Sequence, residues 1–442
     1  MGLNRKKFPG ARSFVFCLLL AGAVGSMSAP PAAAQMQQYT PPGGPDFRVV
    51  DPQAILEEQM AEARWRLGPL RLVPWFGLSQ LGYVDDVFAG STSEDESVSD
   101  FTAVVGAGLT GYLPTGPKVT WVFDVTPRYI WWQDLTERRQ FAGRFGAGFF
   151  GYFNRLRLEA TAGREETQRT FSPEFPQPTV LEEDHVRAHL GLRLSQKIEA
   201  FAEGEGRRTR DQSDEFADDR TPNFDALDRD EEMLRGGLRY RPTERSTIAI
   251  GVEDLTVDST ASARDLSNAG TSPFLELDFE GGRSRFGAEV VLRDLSGTGS
   301  SRFGTYDEVA GHLHGQMKIG WRLELRAYAT TTPILSLLDE YSFFEQRRYG
   351  MGLGSEWGRR TFFEVFADRG DNRYNRVLPT TPERTDDFES LGAQLQFDLT
   401  ESLSMTVRVE DSTYESSLPG ADRDVFAVRT NVSLSTNRLL WR

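Results

Sequence analysis

The strongest constraint on this chain is a period of two that starts at Pro69 and runs almost to the end. Leu156, Leu158, Ala160 and Ala162 alternate with Arg155, Arg157, Glu159 and Thr161. Val186, Ala188, Leu190 and Leu192 alternate with Arg187, His189, Gly191 and Arg193. The same holds for Phe286–Leu292 against Arg285, Glu289 and Arg293, for Trp321–Ala327 against Arg322, Glu324 and Arg326, and for Leu403–Val409 against Arg408 and Glu410. Each run gives a strand one apolar and one charged face. Soluble sandwiches also alternate, but these runs are roughly 10–14 residues long against a soluble mode of about 5–6. A tilted membrane strand needs ~9–11. Aromatic residues gather toward run ends, as at Trp131-Trp132, Phe149-Phe150, Tyr152, Trp321, Trp357 and Phe362-Phe363, which suits interfacial girdles.

The connections alternate in length. Tight turns are expected at Pro114–Pro117, Phe153, Gln196, Pro242–Glu244, Gly281-Gly282, Met317-Lys318, Gly358-Arg359 and Thr400-Glu401. Between them fall polar loops at 84–98, 169–182, 211–230, 259–270, 297–303, 332–340, 371–385 and 416–422, with 133–138 a short member of the set. Short turns on one side and long loops on the other are the pattern of outer-membrane barrels. The expected fold is all-β: a transmembrane antiparallel β-barrel of about 18 strands, from a first strand at 69–83 to a last at 423–436, with both termini periplasmic.

The N-terminus reads as an export leader. Arg5, Lys6, Lys7 and Arg12 precede a short apolar run from Phe14 to Val24, and Ala32-Ala33-Ala34 offers a cleavage site. That run is shorter than the ~20 residues a membrane helix needs. Residues 1–34 are therefore expected to be a signal peptide, 35–68 a periplasmic linker and helix, and 69–442 the barrel. Asp51-Pro52 supplies a cap and a first-turn proline. Ile55, Leu56, Gln59, Met60, Ala63 and Leu67 then recur at helical spacing up to Gly68, predicting an amphipathic helix over 52–67.

The only cysteine, Cys17, lies in the leader, so a processed chain has no disulfide or thiolate chemistry. The formal charge is −15; without the leader, 46 basic residues face 65 acidic ones, a charge near −19. That argues against nucleic acid as a partner. The inward positions carry both signs, and the expected lumen-lining set is Arg187, Arg193, Glu199, Glu203, Glu276, Asp278, Arg283, Arg285, Glu289, Arg293, His312, His314, Arg322, Glu324, Arg326, Arg408 and Glu410. In this reading Glu199, Glu203 and Glu205 face Arg187 and Arg193, and Glu276, Asp278 and Glu280 neighbour Arg283, Arg285 and Arg293. His312 and His314 share a face ~6.6 Å apart, and His185 and His189 are four positions apart. Neither pair has the third ligand a metal site needs, and no Gly-x-Ser-x-Gly elbow is present. No metal, cofactor or catalytic residue is expected. The acidic runs 91–100 and 211–232 are candidate Ca²⁺ bridges to lipopolysaccharide, or simply solvated loops. Trp441 stands one place before the end, where barrel-assembly machinery usually meets a terminal aromatic residue.

Three hairpins share a local pattern: Leu192-Arg-Leu-Ser-Gln-Lys-Ile-Glu-Ala, Leu238-Arg-Tyr-Arg-Pro-Thr-Glu-Arg-Ser-Thr-Ile and Leu395-Gln-Phe-Asp-Leu-Thr-Glu-Ser-Leu-Ser-Met. With the opening strand Gly68-Pro-Leu-Arg-Leu-Val-Pro-Trp-Phe-Gly-Leu and the following Gly82-Tyr-Val-Asp-Asp-Val-Phe, the chain resembles β-barrel porin families found with bacterial exopolysaccharide export systems. The resemblance implies an outer-membrane conduit for a secreted polysaccharide, working with periplasmic export proteins. It supplies no catalytic residues. Two other readings stand beside it: a general small-solute diffusion porin, and a structural or adhesive barrel that transports nothing.

Overall fold

The computed structural model describes residues 52–84, 99–169, 174, 179–212, 228–260, 265–358, 360–400, 402–418 and 422–435. The expected leader, most of the linker, the acidic run 91–98 and Trp441 lie outside the described residues. A helix α1 (Pro52–Glu62) and a short strand β1 (Trp65–Leu67) precede eighteen long strands. These are β2 (Leu70–Val84), β3 (Asp100–Pro114), β4 (Val119–Trp132), β5 (Gln140–Tyr152), β6 (Leu156–Arg169), β7 (Thr179–Arg193), β8 (Ile198–Asp211), β9 (Arg229–Thr243) and β10 (Ser246–Ser259). They continue as β11 (Asn268–Glu280), β12 (Ser284–Gly297), β13 (Tyr306–Ile319), β14 (Leu323–Leu335), β15 (Tyr341–Trp357), β16 (Thr361–Arg376), β17 (Thr385–Asp398), β18 (Leu403–Ser416) and β19 (Arg423–Ser435).

Each strand from β2 to β19 pairs antiparallel with the next, and β19 pairs with β2, with Val428 opposite Tyr83 and Leu434 opposite Phe76. The result is a closed barrel of eighteen strands, and closure removes the unpaired edges an open sheet would present. Among the eighteen long strands, connections are short after β3, β5, β7, β9, β11, β13, β15 and β17, and longer after the others. Two sets of residues show the wall's two sides. Leu190, Leu192, Ile250, Leu292, Leu313, Met351 and Leu391 are exposed, while polar neighbours in sequence, including His189, Arg293, His314 and Ser390, are buried.

Three expectations are corrected. The helix stops at Glu62 rather than at 67, because Trp65–Leu67 form a hairpin with Leu70–Leu72 around Gly68, whose φ is +61°. Leu67 fits the helical period, but backbone pairing with Leu70 takes it. The turn expected at Met317-Lys318 sits three residues later, at Gly320 with φ +67°, because β13 pairs with β14 through Ile319 and Leu323. Residues 133–139 are not a plain loop: Thr136–Arg138 make a 3₁₀ turn, held by Asp100, whose carboxylate accepts N–H bonds from Asp134 and Leu135.

Some inner positions must be glycine. Gly251 pairs with Gly237, and a Cβ on Gly251 would meet the Gly236 carbonyl and lie 2.9 Å from the Gly237 Cα. Backbone cannot yield as a flexible side chain can, so Gly251→Val is expected to destabilise by about 2–3 kcal/mol. A lower yield of heat-modifiable, folded barrel on SDS gels checks this.

Candidate functional site

The face opposite the exposed apolar set carries a continuous ion-paired lining. On β4 and β5, Asp124 takes hydrogen bonds from Arg144 Nε at 3.1 Å and from the Thr110 hydroxyl at 2.9 Å. On β6, Arg157 and Glu159 pair at 2.8 Å. Glu203 on β8 receives Arg187 and faces the His189 ring nitrogen at 3.4 Å. Farther along β8 and β9, Glu231 is clamped by Arg207 and Arg229, all three nearly fully buried. On β9, Arg235 reaches Glu289 at 3.2 Å and Glu276 at 3.6 Å while lying over the Phe274 ring at 3.6 Å. Arg293 pairs with buried Glu253, Arg326 with Glu364, and Arg408 with Glu410 at 3.1 Å. Arginines over rings recur: Arg239 on Phe201 at 4.6 Å and Arg408 on Phe366 at 4.2 Å. Such stacking holds a flat cation against the wall.

The structure brings most of the sequence-derived set into this lining; Glu203 meets Arg187 and Glu280 meets Arg285 as expected, while other partners differ. Glu199 stands opposite Arg193 in register, yet its 3.0 Å partner is Arg239. Arg285 pairs with Glu280 at 2.9 Å, but Arg293 turns to Glu253 rather than to the acids of β11. Asp278 lies opposite Gly287, and Glu324 opposite Lys318. His312 and His314 stack with ring centroids 5.9 Å apart. Two members fall in turns: Arg283 precedes β12 and is exposed, and Arg322 lies over Trp321 at 3.6 Å just before β14. Among the described residues no group of three His, Cys, Asp or Glu side chains converges as metal ligands would. Sequence reasoning missed Asp124, Arg144, Arg207, Glu231, Arg235, Arg239, Glu253 and Glu364. Their strands alternate like the others, so the same parity was available to find them.

Two features reach across the ends of the ring. At the short-turn end, α1 lies against the polar face of β2–β4. Arg71 donates to the Met60 carbonyl at 2.7 Å, and the Tyr112 hydroxyl donates to Gln59 Oε1 at 3.1 Å. Leu56 and Ala63 are buried there. At the long-loop end, Glu174 from the β6–β7 connection is buried against the β14–β15 turn. Its carboxylate accepts the Ser336 hydroxyl and the Leu337 N–H, each at 2.6 Å. Eight strands separate these two connections one way round the ring and ten the other, so the contact is made almost across the full diameter. Nearby loops are also tied. Arg384 and Tyr374 both bind Asp386, which accepts the Ser416 hydroxyl as well.

Asp265 joins two more loops. It accepts the Ser267 N–H at 3.0 Å, its other oxygen lies 3.5 Å from the Ser300 hydroxyl, and its carbonyl receives Arg302 N–H. The Ser267 hydroxyl and N–H hold its carboxyl below the usual carboxylate range. A depressed carboxyl contributes stability above its unfolded pKa, about 3.9, and loses it as pH falls through the lowered folded value. Amide protection factors, corrected for intrinsic exchange, at 265–267 and 298–303 are therefore expected to be unchanged between pH 5 and 8 and to fall only under strong acid.

No protein-family model and no curated protein matches the chain. Solved structures do. A BenF-like porin from Pseudomonas fluorescens Pf-5 aligns with 84% of this chain and 99% of its own length, at 11% identity and a TM-score of 0.51. Pseudomonas aeruginosa OccK2 (OpdF) aligns with 83% and 97%, at 12% identity and a TM-score of 0.51. The same protein in complex with glucuronate gives 84% and 98%, 12% identity and a TM-score of 0.50. The fold is that of an outer-membrane porin barrel.

Proposed function

We propose that this protein is a diffusion channel for small polar solutes in the outer membrane of a Gram-negative bacterium. The observation that carries the reading is the two-faced wall: exposed Leu, Val, Phe and Met outside, and paired Arg, Glu and Asp on the other face. At eighteen strands a barrel encloses an aqueous channel rather than a packed core, so the paired charges line water. Paired charges offer a solute many weak contacts without a deep trap. The lining set named from the sequence, without the turn residues Arg283 and Arg322 and with Arg207, Arg235, Arg239, Glu231 and Glu253 added, is the proposed solute path.

Small solutes fit better than a polymer. Helix α1 stands at one mouth and Glu174 crosses the other end, and both narrow the way for a continuous glycan chain. The similar folds are porins, one of them crystallised with glucuronate, and nothing among them points to polysaccharide export. In this proposal residues 1–34 are removed on export, the short turns and both termini face the periplasm, and lipopolysaccharide surrounds the long-loop end.

Reconstitution tests the reading. Purified protein should give discrete conductance steps in planar bilayers and let liposomes swell in pentoses and hexoses. A protein that conducts nothing, with or without α1 removed, overturns it. A deletion strain that loses surface polysaccharide while liposomes stay tight would return the export role.

A further inference from the structure

One seam of the wall stops short of the long-loop end. β13 and β14 pair from Ile319 and Leu323 up to Gly311 and Thr331 and then part, although β13 runs on to Tyr306 and β14 to Leu335. Pro333, just above the split, has no N–H to offer a ladder. Beyond the split the tip of the β14–β15 hairpin loses the two-faced pattern. Residues 333–336 and 341–346 are all buried, so both faces of the tip are covered.

Both covers can be named. Leu335 and Phe343 have the outward parity of exposed Leu323 and Met351 on the same strands. Yet they pack in one cluster with the inward residues Leu255, Val257, Leu295 and Tyr306. The Phe343 and Tyr306 ring centroids are 5.5 Å apart, and the Tyr306 hydroxyl donates to Glu345 Oε2 at 3.3 Å. A side chain that faces out from one strand meets side chains that face in from others only if its strand has swung inside the ring. On the other face of the tip, Ile334 and Phe344 cluster with Tyr374, and Glu174 holds Ser336 and Leu337. The tip is therefore a partition within the barrel. The space between it and β9–β13 is filled by apolar side chains no more than 6% exposed. Close packing of this kind leaves no void that a solute could enter.

The charged lining divides in the same way. Arg128, Glu165, Arg207 and Arg293 stand at one height, each nine residues beyond the first residue of its strand, Val119, Leu156, Ile198 and Ser284. Beside the partition the side chains of Arg207 and Glu231 are 4% and 6% exposed, and those of Arg293 and Glu253 are 5% and 0% exposed. Across the ring, Arg128 and Glu165 lie 3.8 Å apart and are each 26% exposed, and Arg144 and Asp124 are 27% and 20% exposed. The cover on that side is thinner. Val104, Ile130 and Trp132 pack with Leu135 and Ala142 near the rim, and the four charges below them stay open to the lumen.

We propose that solutes cross the long-loop half of the barrel on one side only, along β4–β6, and that Asp124, Arg128, Arg144 and Glu165 set the selectivity of the channel. The proposal rests on the channel reading above and narrows its path at this end. Two cations and two anions, paired and half-exposed, offer a passing solute contacts of both signs. Removing one charge leaves the narrow route with a net field of the opposite sign. The buried pairs beside the partition lie outside the route, so they act on stability and not on passage.

Single cysteines test the route, since the native Cys17 lies in the leader expected to be removed. Thr161→Cys places a thiol on the inner face of β6, below the four charges, and Ala310→Cys places one in the apolar cluster on β13. A charged, membrane-impermeant methanethiosulfonate added outside whole cells should label Thr161→Cys about ten-fold faster than Ala310→Cys, because a thiol reacts only where the reagent reaches it. Folded barrel is confirmed first by heat modifiability. In planar bilayers the label on Thr161→Cys should cut the current, while Ala310→Cys is unaffected. Glu165→Gln should shift the cation-to-anion permeability ratio about two-fold toward anions, and Arg128→Gln about two-fold toward cations. Equal labelling of the two cysteines, a current that ignores the label on Thr161→Cys, or a permeability ratio unmoved by both charge variants overturns the proposal. A protein that conducts nothing yet labels Thr161→Cys alone keeps the one-sided route and loses the channel reading.

Discussion

Replacing Glu231 by Gln is expected to cost about 3 kcal/mol or more of barrel stability, the usual penalty for removing one partner from a buried ion cluster. Glu231 sits between Arg207 and Arg229, and none of the three side chains exceeds 6% exposure. The neutral amide removes the carboxylate that the two buried guanidiniums share. The unfolding temperature of the barrel, read from heat modifiability on SDS gels, should fall well below that of Asp184→Asn, a residue of the outer face whose partner Arg164 is half exposed. Equal shifts would mean that lumen water reaches the cluster as freely as bulk water reaches the Arg164–Asp184 pair.

Glu174→Ala should have the larger effect on conduction. The carboxylate holds a hydroxyl and a backbone N–H of the β14–β15 turn. Hydrogen bonds to a charged group are worth about 1.5–3 kcal/mol each. Losing two would shift the docked position by at least ten-fold in population. Single-channel conductance is expected to rise, and its current noise to change, while the unfolding temperature moves little. Glu174→Asp, with a shorter reach, should lie between the two. A conductance unchanged in Glu174→Ala would show that Glu174 does not narrow the path.

The architecture was legible because two independent signals agree. Parity along strands gave the two faces, and the alternation of short and long connections gave the number. Both survive errors of a few residues at each boundary, such as β16, which runs to Arg376 instead of ending near 370. The site was legible by side but not by partner. Parity puts Arg293 on the charged face; only the fit of β10, β11 and β12 decides that it meets Glu253, two strands away, instead of a neighbour on β11. The helix boundary failed for a related reason. Leu67 satisfies a helical period and a hairpin register at once, and the hairpin wins through backbone pairing that composition does not reveal.

The seam between β19 and β2 has a consequence for how such a chain is made. Seventeen seams join strands adjacent in sequence, and one joins residues some 350 positions apart, as in the bond from Gln80 N–H to the Asn431 side chain. The entropy of closing so long a loop is met once, at the final step. Until then the sheet has two open edges, which are β2 and β19 once every strand is in place, and edges recruit foreign strands. A chain stalled short of its last strand would therefore be both incomplete and adhesive. Its survival during delivery would depend on whatever shields those two strands until they find each other.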